Sequence, residues 1–197
     1  TGLRVLEKHQ CPFDLLFYVQ HLRHAVTLGR LLPDLPMVID HLAKPRIREQ
    51  RTGDWIRQLQ EAAAMPNIFC KLSGMMDLRC TIRPAPIDVE HYARYLDILW
   101  DAFGEDRMVF GSDWPVSDRS ERTYADVLQL ARDYVATKQN SAWDKVFLRE
   151  FETRLQVEGT TGRQAGKMRC SALLGRLQTV LFSRWKVVAV ALLTILL

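Results

Sequence analysis

The feature that most limits the fold of this chain is a fourfold alternation of short apolar segments with amphipathic stretches. The apolar segments have the length of buried strands, and the stretches between them carry apolar residues at helical spacing. The predicted strands are residues 13–19, 36–40, 67–72 and 108–110, and the predicted helices are residues 21–32, 54–65, 88–103 and 121–136. This order predicts an α/β fold with a parallel sheet and right-handed helical crossovers.

Each predicted strand ends in, or is closely followed by, polar or reactive side chains. They are Tyr18, Gln20 and His21 at the first strand, Asp40, His41 and Lys44 at the second, Lys71 and Ser73 at the third, and Ser112 and Asp113 at the fourth. Because the carboxyl ends of parallel strands meet at one rim, these groups are expected to converge. Four such strands favour half of a (β/α)₈ barrel over a doubly wound sheet. No Gly-x-Gly-x-x-Gly follows any strand, so no dinucleotide cofactor is expected.

The last predicted strand runs into Gly111, Ser112 and Asp113, which places the Asp113 carboxylate at the rim. A carboxylate there either takes part in chemistry or caps the segment that follows. His41 follows the second strand and could bind a metal or a substrate oxygen, although a single histidine is more often structural. The equivalent position of Asp113 two strands further on favours the functional alternative for His41. Asp40 alternates to the other side of its strand and is expected to face the helices or cap a turn.

Lys71 lies inside the third predicted strand, where the period of two places it on the same face as Ser73. A lysine inside a strand is costly unless its charge has a partner or a chemical role. Lys71 therefore either points at a substrate group or forms an internal ion pair, for example with Asp113. Trp114 and Tyr18 are either walls of a pocket or core aromatic residues.

The composition indicates a globular chain with one sizeable core, because 48% of its 197 residues are hydrophobic. The net charge of +4 originates from residue 149 onward, and the residues before it are close to neutral. The main body has no basic face with interleaved aromatic residues, so nucleic acid is not expected as a partner. Four cysteines without Cys-x-x-Cys spacing argue against a zinc knuckle and favour reduced thiols in the cytoplasm.

Three motifs stand in one order along the chain: Val-Ile-Asp-His-Leu-Ala-Lys-Pro at 38–45, Lys-Leu-Ser-Gly at 71–74 and Phe-Gly-Ser-Asp-Trp-Pro-Val at 110–116. Together they resemble the amidohydrolase-related (amidohydrolase 2) family of TIM-barrel metal-dependent hydrolases, above all its fuconolactonase-like and rhamnonolactonase-like branch. The resemblance covers about residues 3–147 and corresponds to the C-terminal half of the family barrel, strands five to eight. It implies that His41 is the strand-six histidine and Asp113 the strand-eight aspartate, with Lys71 and Ser73 on strand seven.

The resemblance implies hydrolysis of a sugar lactone or a related cyclic ester. Asp113 would take the proton from the attacking water, sometimes with a divalent metal holding that water, and His41 would polarise the lactone carbonyl or ligate the metal. His41 and Asp113 are thus the expected catalytic residues and the expected metal ligands, with zinc as the candidate ion. The expected substrate-binding residues are Lys71, Ser73, Trp114 and Tyr18.

Two departures from the family pattern keep other functions open. The family's first strand carries a His-x-His pair that holds the metal, and this sequence contains no such pair. Strands one to four of the barrel have no counterpart, so the open edge of the sheet would need a partner such as a second copy of the chain. The alternatives to a lactonase are a truncated, non-catalytic isoform that acts through protein association, and a decarboxylase on the same scaffold.

The chain is expected to divide after residue 147. Residues 1–147 would form the partial barrel domain, and residues 148–197 a divergent basic tail that ends in a short hydrophobic segment. That segment, residues 187–197, falls well short of the roughly 20 apolar residues that a membrane-spanning helix needs. An alternative terminus is therefore favoured, with membrane anchoring of the tail as the minor alternative.

Overall fold

The structure, a computed structural model, describes residues 2–77, 81–139 and 141–148. Within these residues four parallel strands form a sheet in the order β1-β2-β3-β4. The strands are β1 (Phe13–Leu15), β2 (Met37–Ile39), β3 (Ile68–Leu72) and β4 (Met108–Phe110). Parallel pairing of consecutive strands is the arrangement of β/α units along a barrel wall, which confirms the predicted fold class.

Helices connect consecutive strands, and further helices precede the first strand and follow the last. The helices are α1 (Gly2–Lys8), α2 (Leu22–Leu31), α3 (Gly53–Ala63), α4 (Val89–Phe103), α5 (Tyr124–Ala136) and α6 (Ser141–Trp143), the last continuing into a π-helical turn at Asp144–Leu148. Short 3₁₀ turns follow three of the strands, at Val19–His21, Asp40–Ala43 and Val116–Ser120. These turns and the loops beside them form the edge of the sheet at which the strands end.

The predicted elements are all present, and the first strand shows the largest difference in length. The apolar run predicts a strand up to residue 19, but β1 ends at Leu15. After Leu15 the chain leaves the sheet, because Phe17 N donates to the Leu15 carbonyl at 2.8 Å and Tyr18 N donates to His21 Nδ1 at 3.3 Å. Local hydrogen bonds therefore replace the sheet ladder in a segment that its apolar composition alone assigned to the strand.

The two faces of the sheet differ in chemistry. The strand residues that lie in the apolar core with the helices are Leu15, Met37, Ile39, Ile68, Cys70, Leu72 and Met108. Full burial of a side chain of this size contributes about 1.5–3 kcal/mol. The register aligns Asp14 with Val38 and Val38 with Phe69, which places these three residues on the opposite face. Lys71 shares that inner face, so polar groups lie on the concave side of the barrel wall.

Arg107 ties several elements together at the end of the sheet where the strands begin. Its guanidinium Nη1 donates to the carbonyls of Ala63, Met65 and Ile68 at 2.6, 3.1 and 3.3 Å, and its Nη2 donates to Ala102 at 3.2 Å. One carbonyl group at the end of each of the helices α3 and α4 is thereby satisfied by the same side chain.

The expectation of reduced cysteines holds for Cys70, which is a free and buried thiol. It is wrong for Cys11, which is disulfide-bonded, because pairing depends on proximity in space and spacing along the chain does not show it. Among the described helices none is both long and apolar enough to cross a bilayer. The predicted tail lies outside the described residues from 149 onward, and the boundary at residue 147 stays a prediction.

Candidate active site

Asp113 and His41 meet at the carboxyl edge of the sheet, although they are 72 residues apart in the sequence and strand β3 lies between their strands. His41 Nε2 lies 3.5 Å from Asp113 Oδ1, and the two side chains are only 15% and 11% exposed. The other carboxylate oxygen, Asp113 Oδ2, is buried and has no hydrogen-bond partner among the described residues. A buried carboxylate oxygen without a donor is costly to maintain, and such atoms often mark functional positions.

His41 reaches Asp113 through an unusual turn. His41, Leu42, Ala43 and Lys44 all have positive φ, between +53° and +57°. For residues other than glycine the left-handed conformation costs about 1–2 kcal/mol each, so this turn is strained. Because φ becomes positive at His41, the alternation of the strand no longer applies to this residue.

The prediction that Asp40 faces the helices is wrong. Asp40 Oδ1 lies 2.7 Å from Lys71 Nζ, on the inner face of the sheet. Alternation from the inward-facing Val38 places Asp40 on this face, and the left-handed turn that begins at His41 brings the imidazole to the same side. A second carboxylate thus joins the candidate site.

Ser73 and Gly74, at the end of β3, hold the imidazole from the other side. His41 Nδ1 is 2.9 Å from Ser73 Oγ, which fixes the ring orientation. Gly74 has a φ of +68°, and a Cβ built on it would lie 2.6 Å from His41 Cβ and 2.8 Å from His41 Cγ. Only glycine therefore allows the imidazole to lie against the end of β3.

Lys71 forms an ion pair, as one of the two predicted alternatives had it, but not with Asp113. Its ammonium contacts Asp14 Oδ2 at 2.8 Å and Asp40 Oδ1 at 2.7 Å. Burial lowers the pKa of Lys71, yet the hydrogen bonds to Asp14 and Asp40 outweigh burial and raise its pKa above the ordinary value. Lys71 is therefore a fixed cation between two carboxylates at the mouth of the half barrel.

A second ion pair lies beside the first. Lys44 Nζ donates to Asp77 Oδ2 at 3.0 Å, both side chains are largely buried, and the Tyr18 ring centroid is 6.0 Å from the same ammonium. Tyr18 thus borders the site, whereas Trp114 is 58% exposed and is not a core aromatic. The sequence contained no periodic signal for Asp77 because it lies in a loop after β3.

Burial dominates the electrostatics of the His41 and Asp113 pair. It lowers the pKa of His41 below 6.5, and the attraction of Asp113 only partly offsets this effect. Burial also raises the pKa of Asp113 above 3.8, against the attraction of His41 and Lys44. The imidazole is accordingly neutral at pH 7, and the carboxylate is a stronger base than an exposed aspartate.

The donor set fits a divalent metal only in part. His41 and Asp113 supply two donors of suitable type, but the described residues contain no group of three or more His, Cys, Asp or Glu that could hold a metal ion. Catalytic zinc sites use three protein ligands and an open position. The described part of the chain therefore does not form a complete zinc site by itself.

Comparison with known sequences identifies several relatives of the chain. It is 41% identical over 109 residues to an L-fucono-1,5-lactonase of Burkholderia ambifaria, a match that covers 55% of this chain and 36% of the relative. It is 36% identical over 149 residues to an L-fucono-1,5-lactonase of Burkholderia multivorans, covering 72% of this chain and 49% of the relative. The chain thus spans half or less of the length of these curated relatives.

Solved structures with the same fold include an amidohydrolase from Burkholderia multivorans with bound zinc. Its TM-score is 0.66 at 29% identity, and the match covers 74% of this chain and 52% of that one. A putative 2-pyrone-4,6-dicarboxylic acid hydrolase from Pseudomonas putida has a TM-score of 0.61 at 20% identity, over 80% of this chain and 56% of that one, and shows the fold alone. The family model described as amidohydrolase matches residues 1–142, which is well over half of the sequence. The chain therefore belongs to the amidohydrolase family.

Proposed function

We propose that Asp113 and His41 belong to an active site that hydrolyses a neutral sugar lactone. The observation that carries the proposal is the buried Asp113 Oδ2, which has no donor among the described residues and lies at the strand edge beside a neutral imidazole. A carboxylate in this setting is suited to accept a proton from water. The two L-fucono-1,5-lactonase relatives support a lactone as the substrate.

In the proposed reaction Asp113 accepts one proton and later returns it. Its carboxylate accepts a proton from water while the water oxygen bonds to the lactone carbonyl carbon. The bond between that carbon and the ring oxygen then breaks, and the proton held by Asp113 passes to the ring oxygen, which leaves as a hydroxyl group. The product is the open hydroxy acid, and the carboxylate is regenerated.

His41 has a positioning and polarising role in this proposal. Ser73 Oγ can donate to Nδ1, which leaves the proton on Nε2, directed towards Asp113 and the space beside it. The opposite tautomer would aim the Nε2 lone pair at the Asp113 carboxylate and is disfavoured at 3.5 Å unless a cation lies between them. The Nε2–H can donate to the lactone carbonyl oxygen as negative charge develops there.

The charges at the strand edge favour a neutral substrate over a dicarboxylate. Lys71 already forms ion pairs with Asp14 and Asp40, and Lys44 forms an ion pair with Asp77. With Asp113 added, carboxylates outnumber ammonium groups in this cluster, so in the absence of a bound metal ion an anionic substrate would be repelled. Sugar hydroxyls, in contrast, can donate to these carboxylates and accept from the lysines. The same charges disfavour a decarboxylase that works without a metal ion, because its substrate would be an acid.

Zinc remains a candidate cofactor because a solved relative contains it. His41 and Asp113 would be its ligands from this chain, and the remaining ligands would come from outside the described residues. When bound, the ion would polarise the attacking water. The incomplete donor set also keeps the non-catalytic alternative open, in which the chain acts through association, including with a second copy of itself. The cytoplasmic location stays a prediction.

The test is hydrolysis of a panel of aldonolactones, including L-fucono-1,5-lactone, with and without added zinc or manganese. Asp113→Asn should lower kcat by about 10²–10⁴-fold, because that is the usual contribution of a general base. Asp118→Asn is the matched control, since Asp118 is exposed in the turn that follows Asp113. Turnover that is equal in wild type and Asp113→Asn would contradict the proposal. A folded wild-type chain with no turnover on any lactone would favour the non-catalytic alternative.

A further inference from the structure

The indole of Trp55 makes a contact that the proposed chemistry does not use. Trp55 lies in the first turn of α3 and is 1% exposed. Its Nε1–H donates to the carbonyl oxygen of Leu42 at 2.7 Å, a short and buried hydrogen bond. Leu42 is the residue directly after His41, so this bond ends in the middle of the left-handed turn.

The left-handed turn requires support from outside. The four residues from His41 to Lys44 keep positive φ without a glycine among them, so the local sequence does not favour this conformation. Within the turn, Lys44 N donates to the His41 carbonyl at 2.7 Å. The Leu42 carbonyl accepts its bond from Trp55, which therefore links the turn to a regular helix.

We propose that Trp55 is a positioning residue for His41: its indole N–H holds the Leu42 carbonyl so that the imidazole lies between Ser73 and Asp113. The inference deepens the proposed function, on which it rests for the chemical task of His41. The position of the ring can nevertheless be measured without turnover. Without the hydrogen bond from Trp55, the turn would relax towards right-handed conformations and move the imidazole away from Asp113.

The experiment compares Trp55→Phe with Trp100→Phe by NMR of ¹⁵N-labelled histidine side chains. Phenylalanine keeps an aromatic ring but removes the donor in both variants. Trp100 is partly buried near the end of α4, packs against Tyr134 and lies outside the candidate site. His41 is assigned among the five histidines with His41→Gln. We expect the His41 ring signals to shift or broaden in Trp55→Phe and to stay in place in Trp100→Phe. Unchanged His41 signals in a folded Trp55→Phe variant would overturn the proposal.

A second substitution separates positioning from general packing. Ala43 has a φ of +57°, so Ala43→Gly makes the left-handed turn intrinsically favourable without restoring the lost donor. The double variant Trp55→Phe/Ala43→Gly should regain the wild-type His41 signals at least in part. If it shows the same displaced signals as Trp55→Phe, the role of Trp55 is packing and the proposal fails.

Two further readouts keep the test decisive. In the unmodified chain the Trp55 indole N–H should exchange with solvent slowly, and fast exchange would overturn the proposal even if Trp55→Phe does not fold. Where the wild type hydrolyses a lactone, Trp55→Phe should lower kcat about tenfold or more with little change in KM. The reason is that the substitution displaces the His41 imidazole and leaves the contacts to the substrate in place. Absence of wild-type turnover would count against the proposed function alone, since the NMR result still decides the role of Trp55.

Discussion

Replacement of Gly74 by alanine tests the contact that allows His41 to reach its position. The new Cβ would lie 2.6 Å from His41 Cβ, 2.8 Å from Cγ and 2.9 Å from Nδ1. Carbon atoms normally approach to about 3.5–4.0 Å, so the ring or the backbone has to move by roughly 1 Å. A shift of this size would break the 2.9 Å contact between His41 Nδ1 and Ser73 Oγ.

The free-energy cost of Gly74→Ala can be built from three parts. The left-handed backbone, with φ at +68°, costs about 1–2 kcal/mol for alanine. Overpacking against the imidazole costs about 1–3 kcal/mol. Loss of the hydrogen bond between His41 and Ser73 adds about 1 kcal/mol. The variant should therefore lose roughly 3–6 kcal/mol, a large part of the typical stability of a domain.

Gly104→Ala provides a control without the clash. Gly104 also has a positive φ, at +62°, and nothing lies within 4 Å of a Cβ built there, but its ψ of 179° is a conformation that essentially only glycine adopts, so its backbone cost is at least that of a left-handed residue. In urea denaturation Gly104→Ala should show a backbone cost alone, whereas the loss in Gly74→Ala should include about 2–4 kcal/mol from the clash and the lost hydrogen bond. The His41 ring signals should move in Gly74→Ala and not in Gly104→Ala. A loss in Gly74→Ala of no more than about 1–2 kcal/mol, with unmoved His41 signals, would refute the reasoning.

Two predictions concern protonation. Asp113→Asn should stabilise the chain at pH 7, because burial raises the pKa of Asp113 above 3.8 and so disfavours its ionised form in the folded state. In thermal melts the gain in stability should shrink as the pH falls towards 3.8. A variant that is less stable than the wild type at pH 7 would contradict this expectation. The His41 ring should titrate below pH 6.5 in NMR, and its contribution to stability should be lost as the pH falls from 6.5 through its lowered pKa; a midpoint above 6.5 would show that the attraction of Asp113 outweighs burial.

The fold was largely accessible from the sequence because its signals are local. Apolar runs of strand length and helices with one apolar stripe indicate β/α units without knowledge of tertiary contacts. Parallel pairing then places strand ends side by side, which is why the approach of His41 and Asp113 could be expected. The C-terminal limit of the first strand was missed because His21 bonds the backbone near Tyr18, an interaction that apolar periodicity does not reveal.

The side-chain contacts of the site were less accessible because they depend on turns and on register. The left-handed turn from His41 to Lys44 contains no glycine, so nothing in the local sequence indicated that His41 would join Asp40 on the inner face. Lys71 pairs with Asp14 across the intervening strand β2, a contact that requires the register of three strands. The role of Gly74 follows only from its distance to His41, although its place directly after Ser73 at a strand end was a usable signal.

Arg107 gives the two ends of the sheet unequal freedom to change. One guanidinium donates to carbonyl groups at two helix ends and at the start of β3, and so fixes the relative positions of these elements where the strands begin. The loops at the opposite end are not needed to fix these positions. New substrate preferences could therefore arise by exchange of the loops after the strands, while the scaffold beneath them retains its register.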